Sequence, residues 1–160
     1  MTRYLDWAIT TPVMLLVLCL VFVYNTKERL SAKFFLLVLV LNYAMLGLGY
    51  LGETQQISKN TGLIGGWVFF VILYGLLYIT FLQNRNVFDN NIIFIAFVIF
   101  WSGYGLLYKT NEEIKNIGYN VLDLFSKCFV PNNLFLIFFI FHFLFLFFIS
   151  LRYVGFYVGH

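Results

Sequence analysis

Apolar residues in this chain fall in long runs, separated by short polar segments. The runs cover about 4–24, 32–51, 63–82 and 92–108. A helix rises about 1.5 Å per residue and a bilayer core is about 30 Å thick, so a span needs roughly 20 apolar residues. Each of the four runs is of that order. A fifth begins near Ile114 and is interrupted at Pro131, and a further apolar run over 134–151 could make a sixth. The connectors over 25–31, 52–62, 83–91 and 109–116 carry most of the ionisable residues. The pattern predicts an all-α transmembrane bundle, because open sheet edges cannot be satisfied in lipid.

Composition strengthens that reading and removes others. The chain has 160 residues, of which 62% are hydrophobic and 11% charged. A soluble domain averages about 45–50% apolar and about 25% charged, so the solvent for most of this chain is lipid. Its length suits one compact unit, and no soluble domain, repeat or linker is visible. The net charge is +3, but the basic residues form no long run, which argues against a nucleic-acid partner. Cys19 and Cys128 both lie in apolar stretches and read as small fillers, not as a disulfide framework. The N-terminus lacks the pattern of a cleaved signal peptide. In the first connector Lys27, Arg29 and nearby Lys33 stand against Glu28. The positive-inside bias therefore places this connector in the cytoplasm and Met1 on the outer side.

Set apart from the connectors are Arg3 and Asp6 at the start of the first run and Asp123 and Lys127 within the fifth. Intramembrane charges are expensive and mark function. Each pair shares one helical face, by a spacing of three or four residues. A plainer account is open for both, with Arg3 snorkelling to the interface and Asp123 merely neutralising Lys127. Yet a buried ammonium tends to lose its proton, and a neutral amine in an apolar pocket attacks an aldehyde to give a Schiff base. The resulting buried cation needs a counterion, and Asp6 and Asp123 are the carboxylates available. Trp7, Trp67 and Trp101 each lie inside a different run instead of in an interfacial belt. With Tyr104 near Trp101, they could line a slot for a long flat polyene.

Three segments then resemble one known family. Arg3-Tyr4-Leu5-Asp6-Trp7-Ala8-Ile9-Thr10-Thr11-Pro12 resembles the third-helix signature of microbial (type 1) rhodopsins, the group of bacteriorhodopsin and proteorhodopsin with viral and marine-microbial members. Trp101-Ser102-Gly103-Tyr104 resembles the sixth-helix motif. Leu122-Asp123-Leu124-Phe125-Ser126-Lys127 resembles the seventh-helix motif that ends in the retinal lysine. The likeness covers about residues 3–130, the equivalent of helices three to seven.

The resemblance implies all-trans retinal held covalently on Lys127 as a Schiff base. It makes Asp6 the counterion and first proton acceptor and Asp123 the second counterion. Arg3 would modulate both, and Thr10 would hydrogen-bond Asp6. Trp7, Trp101 and Tyr104 would sandwich the polyene, with Thr11 beside it. Met45, Gly49 and Trp67 would surround the ring end, and Tyr108 matches an aromatic position. Met14 matches the colour-tuning position. Light would isomerise the chromophore, and the proton would pass to Asp6 because charge separation in low dielectric is costly.

The chain departs from the family pattern in three places. It begins inside the third-helix signature, so the first two helices of the pattern are missing and the chain reads as truncated at its N-terminus. Val17 stands where outward pumps carry an internal proton donor. Pro131 interrupts the seventh helix one turn after Lys127, and residues 131–160 read as an apolar extension unlike the family. His142 in that extension reads as a packed or lipid-facing residue and not as a metal ligand. Glu112 and Glu113 could echo a proton-release pair or form a solvated loop.

The expected organisation is a partial rhodopsin bundle over 1–130 and an extension over 131–160. The expected function is a light-activated membrane photoreceptor that moves ions, protons first among them, and is no enzyme. A sensor signalling through a membrane partner and a truncated, non-functional fragment are the alternatives. No metal is expected. Partners are the bilayer and retinal, and a homo-oligomer is left open.

Overall fold

The computed structural model describes residues 2–85 and 87–128, with side chains over 3–85 and 87–124. The described residues form five helices and no strand: α1 (Thr2–Thr26), α2 (Ala32–Glu53), α3 (Lys59–Phe81), α4 (Phe88–Leu107) and α5 (Glu112–Cys128). Helices α1 to α4 are long and apolar enough to cross a membrane. The sixth apolar run, Pro131, His142 and the side chain of Lys127 lie outside the described residues. The chain divides into two units, Met1–Ser126 and Lys127–His160. The helix bundle belongs to the first.

Helices α3 and α4 begin about four residues before their apolar runs, at Lys59 and Phe88. Their first turns are polar and end in solvent, so hydrophobicity does not report them. Ser58 caps α3 by accepting the Thr61 N–H at 3.0 Å, which satisfies a donor that the helix start leaves over. Asp89 lies in the first turn of α4, where a negative charge suits the helix dipole.

Helices α1 and α2 each close on a non-glycine residue in the left-handed region. These are Lys27 (φ 56°) and Gln55 (φ 59°). The following amides fold back, with Glu28 N–H donating to Val23 O at 3.0 Å and Gln56 N–H to Leu51 O at 3.0 Å. Each turn thus caps carbonyls that the helix end leaves open.

The core runs along α1, which touches α2, α3 and α4. Leu15, Leu18, Cys19 and Phe22 on α1 are fully buried, together with Val38 on α2 and Leu73 and Leu77 on α3. Large apolar side chains such as Leu5, Ile9, Leu36, Ile64, Ile79 and Ile99 point outward, as a surface facing lipid requires. The tightest crossing is α2 on α3. A Cβ added at Gly62 would stand 2.8 Å from the Leu48 carbonyl oxygen and 3.0 Å from Gly52 Cα. Glycine is present there because two backbones meet.

Pro12 lies inside α1. Proline has no N–H, so the carbonyl of Ala8, four residues back, loses its helical partner. Tyr43 on α2 supplies one, its hydroxyl donating to Ala8 O at 3.0 Å. The two preceding carbonyls also receive side-chain hydroxyls. Thr10 donates to Asp6 O at 2.9 Å and Thr11 to Trp7 O at 2.7 Å. The Thr-Thr-Pro segment therefore keeps its backbone satisfied in a setting without water, which membrane helices need.

Candidate functional site

The site is built around Asp123 on α5. One of its carboxylate oxygens accepts the Tyr104 hydroxyl at 2.5 Å and the Trp7 indole N–H at 3.4 Å. Three helices, α1, α4 and α5, therefore meet at one carboxyl group. Donors aimed at an ionised carboxylate are stronger than neutral hydrogen bonds. The arrangement holds the Asp123 oxygen in place as an acceptor.

Aromatic rings pack this junction. Trp7 is buried and meets Tyr4, Tyr104 and Tyr119 edge to face at 5.2, 5.2 and 5.3 Å between centroids. Tyr119 donates to the Tyr104 carbonyl at 3.2 Å. Arg3 lies over the Tyr119 ring at 5.2 Å and donates to Asn120 Oδ1 at 3.1 Å. Arg3, Trp7, Tyr104 and Asp123 are thus joined in one cluster through Tyr119 and Asn120. Asp6 is exposed on α1, and the Thr10 hydroxyl donates to its main-chain carbonyl.

Trp101 belongs to a second aromatic layer. It is buried and meets Tyr74 at 5.8 Å and Phe97 at 6.3 Å. Tyr74 meets Phe70, and Phe70 meets Trp67 at 5.2 Å. Trp67 also packs on Gly105 of α4, where an added Cβ would stand 2.8 Å from the indole. Met45 faces the same stretch of α3, its carbonyl oxygen 3.9 Å from the Cβ position of Gly66. Gly49 and Tyr108 lie apart from this layer. The Tyr108 hydroxyl donates to Gly49 O at 2.8 Å, and Gly49 faces the Tyr4 ring. Met14 is half-buried on α1.

Asn42 on α2 is fully buried and donates to Thr11 Oγ1 at 2.8 Å. Its Oδ1 has no hydrogen-bond partner. Thr11 in turn donates to Trp7 O, so Asn42 acts on the backbone that carries Trp7. Sequence reasoning misses Asn42, although a lone amide within an apolar run is a signal that could find it. At the opposite end Asn90, also buried, accepts from Asn25 Nδ2 at 2.7 Å and ties α4 to α1.

Within the polar segment over 109–116, Glu112 and Glu113 are exposed but Lys115 is not. It is buried on α5, contacts Glu53 at the end of α2, and donates to Glu112 at 2.7 Å. Burial works against the Lys115 charge, but the bonds it donates to Glu112 and Glu53 outweigh that and raise the ammonium above its ordinary value. The bond from Lys115, and then its charge, lower Glu112. Charge alone cannot reveal such a residue, since Lys109 nearby is exposed. The usable signal is spacing, because Lys115 precedes Asp123 by two steps of four residues.

Among the described residues no group of His, Cys, Asp and Glu could hold a metal ion. The retinal expectation can be tested on the donor set itself. A carboxylate oriented by Tyr104 and Trp7, four residues before Lys127 in the α5 sequence, suits a neighbouring cation. Those residues fit the group that the resemblance implies.

Three likenesses to known proteins accompany this geometry. A family model described as bacteriorhodopsin-like protein matches residues 1–141. The chain is 32% identical over 138 residues to Opsin-1 of Neurospora crassa, covering 78% of this chain and 45% of that protein. The crystal structure of the viral rhodopsin OLPVRII superposes with a TM-score of 0.74 at 45% identity, covering 80% of this chain and 61% of that one. The chain spans about half the length of the curated relative.

Proposed function

The chain belongs to the bacteriorhodopsin-like family of microbial rhodopsins, and from that membership we propose that it is a light receptor that holds all-trans retinal on Lys127 and moves ions, protons first among them, across a membrane. The observation that carries this reading is the Asp123 carboxylate, held by Tyr104 and Trp7 from two other helices. When bound, retinal supplies a light-absorbing polyene and, through its Schiff-base link to the Lys127 amine, a protonated nitrogen.

The chain's own residues then have distinct tasks. Asp123 balances the positive charge, and its two donors keep it from rotating away. Asp6 is the other carboxylate and accepts the proton when charge separation in low dielectric becomes unfavourable. Thr10 fixes the Asp6 backbone. Arg3, held by Asn120 and Tyr119, adds positive charge on the Asp6 side. Trp7 and Trp101 are buried walls for the polyene, and Thr11 with Asn42 sets the position of Trp7.

Orientation follows the basic residues. The Lys27 end of the bundle carries Lys27, Arg29, Lys33 and Arg85 against Glu28 and Asp89. The first helix usually dominates this bias, and the connector that follows it is rich in Lys27, Arg29 and Lys33, so the Lys27 end is placed in the cytoplasm and the Arg3 end outward.

The test is the visible spectrum of the full chain with all-trans retinal. The expected result is a band that hydroxylamine bleaches and that Lys127→Ala abolishes. No such band in the wild-type chain overturns the reading. A sensory role is the second reading, favoured by Val17, an apolar residue where outward pumps carry a donor carboxylate. A light-driven pH change in vesicles counts against the sensor, and a silent, long-lived photocycle supports it.

A further inference from the structure

Lys115 is the one charged side chain buried among the described residues, with 4% of it exposed. It lies at the Arg3 end of the bundle, on the inward face of α5. Tyr119 follows one turn later and Asp123 one turn after that, and steps of four residues keep all three on one stripe. The stripe joins the candidate counterion to the end of the bundle.

A buried ammonium without partners is too costly to persist. Here it touches two carboxylates, Glu53 of α2 and Glu112 of α5. Other elements bring further groups to bear. Tyr108 at the end of α4 lies within the field of Lys115 and Glu53. Tyr4 and Arg3 of α1 and Tyr119 of α5 lie within one another's fields and that of Glu53. Lys59 of α3 acts on Glu112.

Two carboxylates that share one ammonium lie within about 6 Å of each other. Glu112 is 72% exposed and can turn to water, but Glu53 is three-quarters buried, and without the ammonium that burial favours its uncharged form. With it, both carboxylates bond one ammonium that favours their charged forms.

We propose that Lys115 is a positioning residue that clasps Glu53 and Glu112 into a closed ionic cluster, so that no carboxyl at this end of the α5 stripe stores a proton. The proposal rests on the light-receptor reading for its meaning. A proton leaving Asp6 or Asp123 toward this end passes from a carboxyl group to water, with no carboxyl held in reserve. Proton appearance outside therefore waits for the counterions themselves to discharge.

The test is infrared titration of the full chain in lipid nanodiscs without retinal, which needs no photochemistry. In the wild type, Glu53→Gln removes no protonated-carboxyl signal between about pH 5 and 8. In Lys115→Gln one such signal appears, and the double variant Lys115→Gln/Glu53→Gln loses it. Lys115→Arg restores the wild-type spectrum, which a purely structural role would not demand of a spectral band. An unchanged spectrum in Lys115→Gln overturns the proposal. So does a protonated carboxyl in the wild type that Glu53→Gln removes, and this arm stands if Lys115→Gln does not fold. With retinal bound, a pH dye should report release after a flash earlier in Lys115→Gln than in the wild type. Absence of any visible band defeats the retinal reading and leaves the infrared result standing.

Discussion

At the scale of single residues, the hydroxyl groups decide the most. Pro12 leaves the Ala8 carbonyl without its helical donor, and Tyr43 replaces that donor from another helix. A neutral hydrogen bond is worth about 1 kcal/mol net. Tyr43→Phe should lower stability by about that amount, read as a reduced midpoint of thermal unfolding in detergent. The Tyr104 hydroxyl bonds a carboxylate, and such bonds are worth about 1.5–3 kcal/mol. Tyr104→Phe is expected to shift the visible band of the retinal-loaded protein, whereas Tyr43→Phe should leave it in place. Equal shifts, or none, would remove Asp123 from the chromophore's surroundings.

At the scale of helices, backbone contact and end geometry are the controlling features. Gly62 stands where α3 meets the Leu48 carbonyl and Gly52 of α2. Backbone atoms cannot swing aside as a side chain does, so Gly62→Ala must push the helices apart. Overpacking of this kind costs about 1–3 kcal/mol, and Gly75→Ala, with nothing within 4 Å of its added Cβ, is the control that should cost far less. The helix ends behave oppositely. Lys27 holds φ at 56°, a region that side chains disfavour and glycine accepts. Lys27→Gly should therefore raise stability by about 0.5–1 kcal/mol, measured by the same thermal unfolding. A loss of stability would show that the Lys27 side chain matters more than its backbone angle.

At the scale of the whole bundle, the Lys115 cluster joins α2 to α5 and makes stability depend on pH at both extremes. Glu112 is lowered from its ordinary value of 4.5. Its contribution is present above that value and disappears as pH falls through the lowered one. Lys115 is raised from its ordinary value of 10.5. Its contribution is complete below that value and disappears as pH rises through the raised one. Between these limits the clasp is closed. The unfolding midpoint of the wild type should fall at each extreme relative to Lys115→Gln, and parallel pH profiles for the two would deny the cluster any part in stability.

Much of this is legible in the sequence, because lipid imposes a simple rule. Backbone groups in the bilayer must be satisfied within the protein, which a helix does for nearly all of its own, so long apolar runs already specify α1 to α4. The motif residues are legible too, since a charge inside such a run is costly enough to stand out, and Asp123 is the meeting point of three helices. Helix ends are less so, because the first turns of α3, capped by Ser58, and of α4 are largely polar and resemble loops. Pairings between distant residues are not legible at all. Whether Lys115 faces solvent or Glu53, whether Asn42 meets Thr11, and whether Tyr43 reaches Ala8 depends on how the helices rotate and cross. Hydrophobicity fixes which segments enter the membrane, but lipid is equally apolar on every side of a helix. Only the fit of side chains between neighbouring helices chooses which face turns inward, and that choice belongs to the tertiary structure.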